Sequence, residues 1–206
     1  MGRNRSRPGT KVPDSAVSSK AFVKSNALIV AAGGAAAAAS MVAVPGVAGW
    51  LGAGLAIIML AIAAIDARCF IIPDSLNVAG LALGFLHAAA RGEGDVASAL
   101  AAAGLRGAAL ALVFLALRAF YERLRGRQGI GLGDVKLAAV AGAWLGWIAM
   151  PIAIEIAAVS ALAFYATRHF IFRRPVRATT RLPFGLFFAP AIWLGWLLQA
   201  TVLQPF

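Results

Sequence analysis

The sequence predicts an all-α fold, a polytopic membrane bundle of about seven transmembrane helices, and three observations carry that prediction. Of 206 residues, 61% are hydrophobic and only 13% charged. The mean hydropathy of +0.83 lies far above that of an ordinary soluble domain. Apolar runs of spanning or near-spanning length recur along the chain, without the two-residue alternation of a membrane barrel strand.

The elements follow in order. Residues 1–26, MGRNRSRPGTKVPDSAVSSKAFVKSN, are polar and basic and hold little to bury, so a disordered cytoplasmic tail is expected there. A membrane-embedded domain over 27–206 then carries helices expected at about 27–45, 48–65, 75–90, 98–120, 134–150, 151–171 and 183–203, bounded by Pro, Gly or charged residues. The first run, ALIVAAGGAAAAAS, also has the form of a secretory signal with a small-residue cleavage site; cleavage would leave six spans in the same orientation. The long polar leader favours an uncleaved anchor.

The net charge of +11 raises the question of a nucleic-acid partner, and the positions of the basic residues answer it. Taken on alternate sides of the spans, the tail, Arg68, the cluster Arg118 to Lys136 and the cluster Arg168 to Arg181 share one side, while the other receives only Arg91 and Arg106. Such a division is membrane topology rather than nucleic-acid binding, and it predicts a cytoplasmic N-terminus. A single cysteine, Cys69, excludes an intramolecular disulfide and a CxxC zinc cluster, and His87 and His169 each stand alone, as packing or interfacial residues do.

Acidic residues at span boundaries are costly and therefore informative. Of the eight, Asp14, Glu93, Asp95 and Glu122 fall in the tail or in loops. Glu155 lies about one turn into the sixth span, within reach of the interface. Asp74 follows Pro73 at a helix start, where an acid suits the N-cap or first turn. Asp66 ends an apolar helix, GLAIIMLAIAAID, where the macrodipole disfavours an acid. Asp134 opens the fifth span after GIGLG, where capping alone could explain it.

The topology brings Asp66 and Asp134 to the same membrane boundary. Asp134, Ala138, Gly142 and Gly146 recur every four residues, a small-residue stripe on the carboxylate's own face. If the second helix packs on that stripe, two carboxyl groups converge and share a proton, as an aspartic protease requires. Such a site needs neither a metal nor another cofactor, and no nucleophilic serine or cysteine.

Three stretches resemble the type IV prepilin peptidases, membrane aspartic proteases with a GxGD motif. IDARCFIIPDSLN, residues 65–77, resembles the first family motif, in which the catalytic acid stands seven residues before the proline; this implies Asp66 rather than Asp74. GLGDVKLAAVAGAWLG, residues 131–146, is similar to the second and implies Asp134. RLPFGLFFAPA, residues 181–191, is similar to the Pro-Phe-Gly segment that opens the last helix. Pro73, Asp74, Pro183, Phe184 and Gly185 are expected to support the site. Gly131 and Gly133 would permit positive φ or close approach of substrate, and Lys136, on another helix face, would bind lipid phosphate or snorkel.

The resemblance implies removal of a short basic leader from prepilin or pseudopilin substrates at the cytoplasmic face of the bacterial inner membrane. Longer members carry an N-terminal domain, often with paired CxxC motifs, associated with methylating the new N-terminus. This chain has a short tail and one cysteine, so it resembles the short peptidase-only members that serve Flp/Tad pili, and methyl transfer is not expected of it. The alternative from another class is a small proton-coupled transporter or scaffold with a buried aspartate pair; a third is an intramembrane protease that cuts within a spanning helix. GIGLG lacks the preceding strand of a dinucleotide loop.

Overall fold

The computed structural model describes residues 15–92, 95–126, 129–170 and 183–203, with side chains from residue 26 onward. Those residues form seven α-helices: α1 (Ser15–Ala43), α2 (Val47–Cys69), α3 (Asp74–Arg91), α4 (Val96–Arg125), α5 (Leu132–Trp144), α6 (Ala149–Phe170) and α7 (Phe184–Leu198). A π-helical turn, Gln199–Leu203, continues α7. The protein is a multi-pass helical membrane bundle.

Seven helices were expected, and five of them, α1, α2, α4, α6 and α7 with its π-turn, are long and apolar enough to cross a bilayer. The other two depart from the expected spans. α5 has 13 residues; at about 1.5 Å per residue it is shorter than a hydrocarbon core of roughly 30 Å. α3 carries Asp74, Asn77, His87 and Arg91 among its 18 residues, which lowers its hydropathy. Both lie among longer neighbours.

The tail also differs from expectation. α1 reaches back to Ser15 rather than starting after residue 26. No Pro or Gly stands between Ser15 and the apolar run, and extending a formed helix is far easier than nucleating one. Residues 1–14 lie outside the described residues, as do Glu93, Arg127 and the basic cluster from Arg173 to Arg181.

The core is built where α2, α5 and α7 face the centre. Leu55, Met59 and Ile62 of α2, Leu137 and Val140 of α5, and Phe188, Ile192 and Trp196 of α7 are almost wholly inaccessible. Large apolar side chains such as Trp50, Val78, Leu105, Leu112 and Leu162 remain on the outside. In lipid that is their solvent, so helix association rests on packing and on small residues rather than on apolar burial.

Within the small-residue stripe, Gly142 of α5 packs against α4, not against α2, and Gly146 falls beyond the helix and faces Gln199. A Cβ on Gly142 would meet the Arg106 carbonyl and lie 2.7 Å from the Gly107 Cα, while one on Gly107 would lie 2.9 Å from the Ala139 carbonyl oxygen. Two glycines thus let the α4 and α5 backbones touch. α2 packs chiefly on α1 and α7 instead.

Helix ends place the functional groups. Phe70 takes the left-handed conformation (φ 55°) and closes α2, its N–H donating to the Asp66 carbonyl at 3.0 Å. Three residues later Pro73 caps α3. At the opposite end of the bundle, His87 stacks on Trp144 at 4.7 Å and accepts a hydrogen bond from Trp196 Nε1 at 3.2 Å. Trp144 Nε1 donates to the Gly80 carbonyl at 2.9 Å, so both indole N–H groups in this apolar packing have an acceptor.

Candidate active site

The last turn of α2 and the starts of α3, α5 and α7 gather at one end of the bundle. Asp66 is 5% exposed and sits where its own helix disfavours an acid. Its partner is another helix: Leu186 N–H donates to Oδ2 at 2.9 Å, and the Gly185 amide also points to this carboxylate. Both amides lie in the first turn of α7, where backbone donors lack the regular i−4 acceptor; the Leu186 N–H also reaches the Pro183 carbonyl, at 3.3 Å. The positive end of α7 therefore holds a charge that the negative end of α2 would repel.

Pro183, Phe184 and Gly185 each have a part in that contact. Pro183 is the N-cap of α7. Phe184 packs against Phe188 at 5.2 Å and Phe114 at 6.2 Å, fixing the helix start on α4. At Gly185 a Cβ would lie 2.9 Å from Asp66 Oδ2 and 2.9 Å from Ile72 Cδ1. Only a residue without a side chain admits both neighbours.

Asp134 is held locally. It occupies the third position of α5, and its Oδ2 accepts from Gly131 N–H at 3.1 Å. This is half of a capping box, since Gly131 has no side chain to return the bond. Asp134 is partly accessible and near enough to Asp66 for their charges to interact.

The glycines before Asp134 do not act as expected. Gly131 has φ −73° and ψ 153°, ordinary extended backbone, and Gly133 is helical. Neither is among the positive-φ glycines. Gly133 is needed for close approach, but to the protein itself: a Cβ there would lie 3.0 Å from Ile72 Cβ.

Ile72 is therefore the residue that sequence reasoning missed. Its side chain lies against Gly133 of α5 and Gly185 of α7 at once, beside Asp66. It joins the start of α5, which carries Asp134, to the start of α7, whose amides hold Asp66. Ile72 falls within the stretch 65–77, as the isoleucine of its Ile-Pro-Asp step, but an isoleucine carries no polar signal, and spacing alone gives it no role.

The loop before α5 is anchored from α4. Arg118 Nη1 donates to the Ile130 carbonyl at 2.9 Å, and the ring of Tyr121 lies against Gly129. Lys136, expected to meet lipid or to snorkel, instead pairs with Asp74, Nζ to Oδ1 at 2.7 Å. Asp74 lies in the first turn of α3, as expected, and its Oδ1 accepts from Lys136. Both partners are more than half exposed, so the pair ties α3 to α5 for about 1 kcal/mol or less. Among the described residues no three His, Cys, Asp or Glu side chains converge as a metal-ligand set.

Comparison with known proteins places the site in context. Residues 53–166 match the type IV leader peptidase family. The chain is similar to a prepilin leader peptidase/N-methyltransferase of Burkholderia pseudomallei, 40% identical over 143 residues, 66% of this chain and 42% of the relative. A protein of the same name from Dickeya chrysanthemi is 37% identical over 152 residues, covering 73% of this chain and 49% of that one. The chain thus spans less than half the length of either relative. No solved structure matches.

Proposed function

Because this chain belongs to the type IV leader peptidase family, we propose that it is a membrane aspartic endopeptidase that removes the basic leader of prepilin-like proteins, with Asp66 and Asp134 as the catalytic pair. The observation that carries the reading is the convergence of these two acids at one end of the bundle, one on the α7 amides and one on the Gly131 amide. Two acids in electrostatic contact have a chemistry that one capping aspartate does not.

The reaction needs one carboxyl group protonated and the other ionised, the state that two acids reach when each feels the other's charge. The ionised member takes a proton from water as that water attacks the scissile carbonyl, and the protonated member donates a hydrogen bond to the carbonyl oxygen. Collapse of the tetrahedral adduct breaks the C–N bond while a carboxyl group returns a proton to the leaving amine. The α7 amides fix Asp66 in advance, so this half of the pair needs no reorganisation when substrate arrives.

Charge supports the choice of substrate and face. Arg68, Arg118, Arg123, Arg125, Lys136 and Arg168 belong to the end that carries the aspartates, whereas Arg91 and Arg106 belong to the other. On the positive-inside rule this puts the acids at the cytoplasmic face of a bacterial inner membrane, where a prepilin's basic leader remains. The relatives' names also carry methyl transfer, whereas the Asp66 and Asp134 pair supplies the acid and base of cleavage. The proton-coupled transporter loses ground to the family membership.

The test is co-expression with candidate prepilins of the same genome, followed by sequencing of the product N-terminus. Cleavage after the leader is expected from the parent chain. Asp66→Asn and Asp134→Asn should each lower it by about 10²–10⁴-fold or more while the protein still reaches the membrane. Full processing by either variant overturns the assignment.

A further inference from the structure

Asn77, at the end of the first turn of α3, is 4% exposed. Neither Nδ2 nor Oδ1 of its carboxamide has a hydrogen-bond partner among the described residues. Its backbone N–H is engaged in the helix start, donating to the Pro73 carbonyl at 3.2 Å. A buried amide in this state is destabilising, and an apolar side chain of the same size would be neutral or better. Resting on the leader-cleaving reading, we propose that Asn77 is a positioning residue for that reaction: it holds a water molecule between α2, α3 and α5 that hydrogen-bonds to the Asp66 carboxyl group.

Helix register places Asn77 one turn inside the aspartates. α3 and α5 run side by side in the same direction: a Cβ on Gly80 would lie 3.1 Å from Val140 Cγ1 and one on Gly84 would lie 3.0 Å from Trp144 Cδ1, while Asp74 meets Lys136. Asn77, two turns before Gly84, shares that face and falls at the level of Leu137, one turn beyond Asp134. α2 runs the other way, and the Cβ on Gly80 would also lie 3.4 Å from Met59 Cε. Asp66 stands two turns after Met59 on the same face of α2. Ile62 and Ala63, between them, are almost inaccessible.

Side chains lean toward the N-terminus of their own helix. For Asn77 that direction is toward the aspartates, and for Asp66 it is back into the bundle, so the two approach from opposite levels. At about 1.5 Å of rise per residue their Cα atoms differ in height by roughly 6 Å. The side chains do not bond directly, and two hydrogen bonds through one water span about 5 Å. The α7 amides orient the Asp66 carboxyl from one side. The water held by Asn77 orients it from the other.

The chemistry of the carboxamide fits this task. Its oxygen accepts and its nitrogen donates, and a water between the two groups can do either. That water donates to Asp66 when the carboxyl group is ionised and accepts from it when it is protonated. Cleavage passes the aspartate pair through both forms, so a side chain that only donates or only accepts would serve half of the cycle. The carboxamide also adds no charge to an apolar interior. An asparagine at a position where leucine would favour stability is the compromise expected of a residue kept for activity.

The experiment compares Asn77→Val with Asn77→Thr, two side chains of one shape that differ by a methyl group against a hydroxyl. In prepilin titrations with the full chain in uncharged detergent, Asn77→Val is expected to lower kcat tenfold or more with KM within threefold of the parent. Asn77→Thr should keep at least a third of the parent kcat. A second readout needs no cleavage: the unfolding midpoints of Asn77→Val, Asp66→Asn and the double variant should depart from additivity by about 2 °C or more, because the two residues share one water. Should Asn77→Val fail to fold, Asn77→Leu takes its place in both measurements. If the parent chain cleaves no candidate prepilin, the leader-cleaving reading fails and the midpoints decide alone: non-additive values support the link between Asn77 and Asp66, and additive ones overturn it. With cleavage observed, equal kcat in Asn77→Thr and Asn77→Val, a loss carried by KM alone, or additive midpoints overturns the proposal.

Discussion

At the scale of the residue, the site is governed by where backbone amides point. Asp66 is stabilised by the first turn of α7, and Gly185 is what admits it. Gly185→Ala forces the carboxylate or Ile72 aside, and overpacking of this kind costs about 1–3 kcal/mol. Cleavage by that variant should fall by at least tenfold, mainly in kcat, as prepilin titrations would show; parent-like kcat would mean that the Asp66 contact is not needed in the reaction. The exposed Lys136 and Asp74 present the contrasting case. Asp74→Asn should retain measurable cleavage and lose about 1 kcal/mol of stability at most, as thermal unfolding in detergent would register.

At the scale of the element, a small-residue stripe showed that α5 packs closely, but not on what. Periodicity defines a face of a helix and is silent about its neighbour. α4 takes the face because Gly107 and Gly142 remove side chains from both backbones at one level. Gly142→Leu should therefore separate α4 from α5, destabilising the protein by about 1–3 kcal/mol or more, read as a lowered unfolding midpoint. An unchanged midpoint would show that the two helices do not depend on this contact. Helix existence was legible throughout, from apolar runs and their breakers. Boundaries were less so: α1 extends to Ser15, and α5 stops at Trp144, short of the expected span.

At the scale of the whole molecule, the bundle has two chemically different ends. One carries the aspartates and most of the basic residues; the other carries a cavity lined in part by Arg91 and Arg106. Cys69, exposed and one turn beyond Asp66, reports on orientation. A membrane-impermeant maleimide should label it in inverted membrane vesicles and leave it unmodified in spheroplasts. Labelling in spheroplasts alone would reverse the orientation assigned to the site.

The sequence by itself determined the fold class, the order of the helices, the grouping of basic residues and the identity of Asp66 and Asp134 as acids at one boundary. Each of these is a property of local composition or spacing, and hydrophobic runs and charge alternation encode such properties directly. Only the tertiary structure decided what holds each acid, why Gly133 and Gly185 lack side chains, and that Ile72 lies against both. It also decided that Lys136 pairs with Asp74 and that Arg106 meets Gln199 around one cavity. Those contacts join residues far apart in the chain, and a one-dimensional pattern carries no term for which helix faces which.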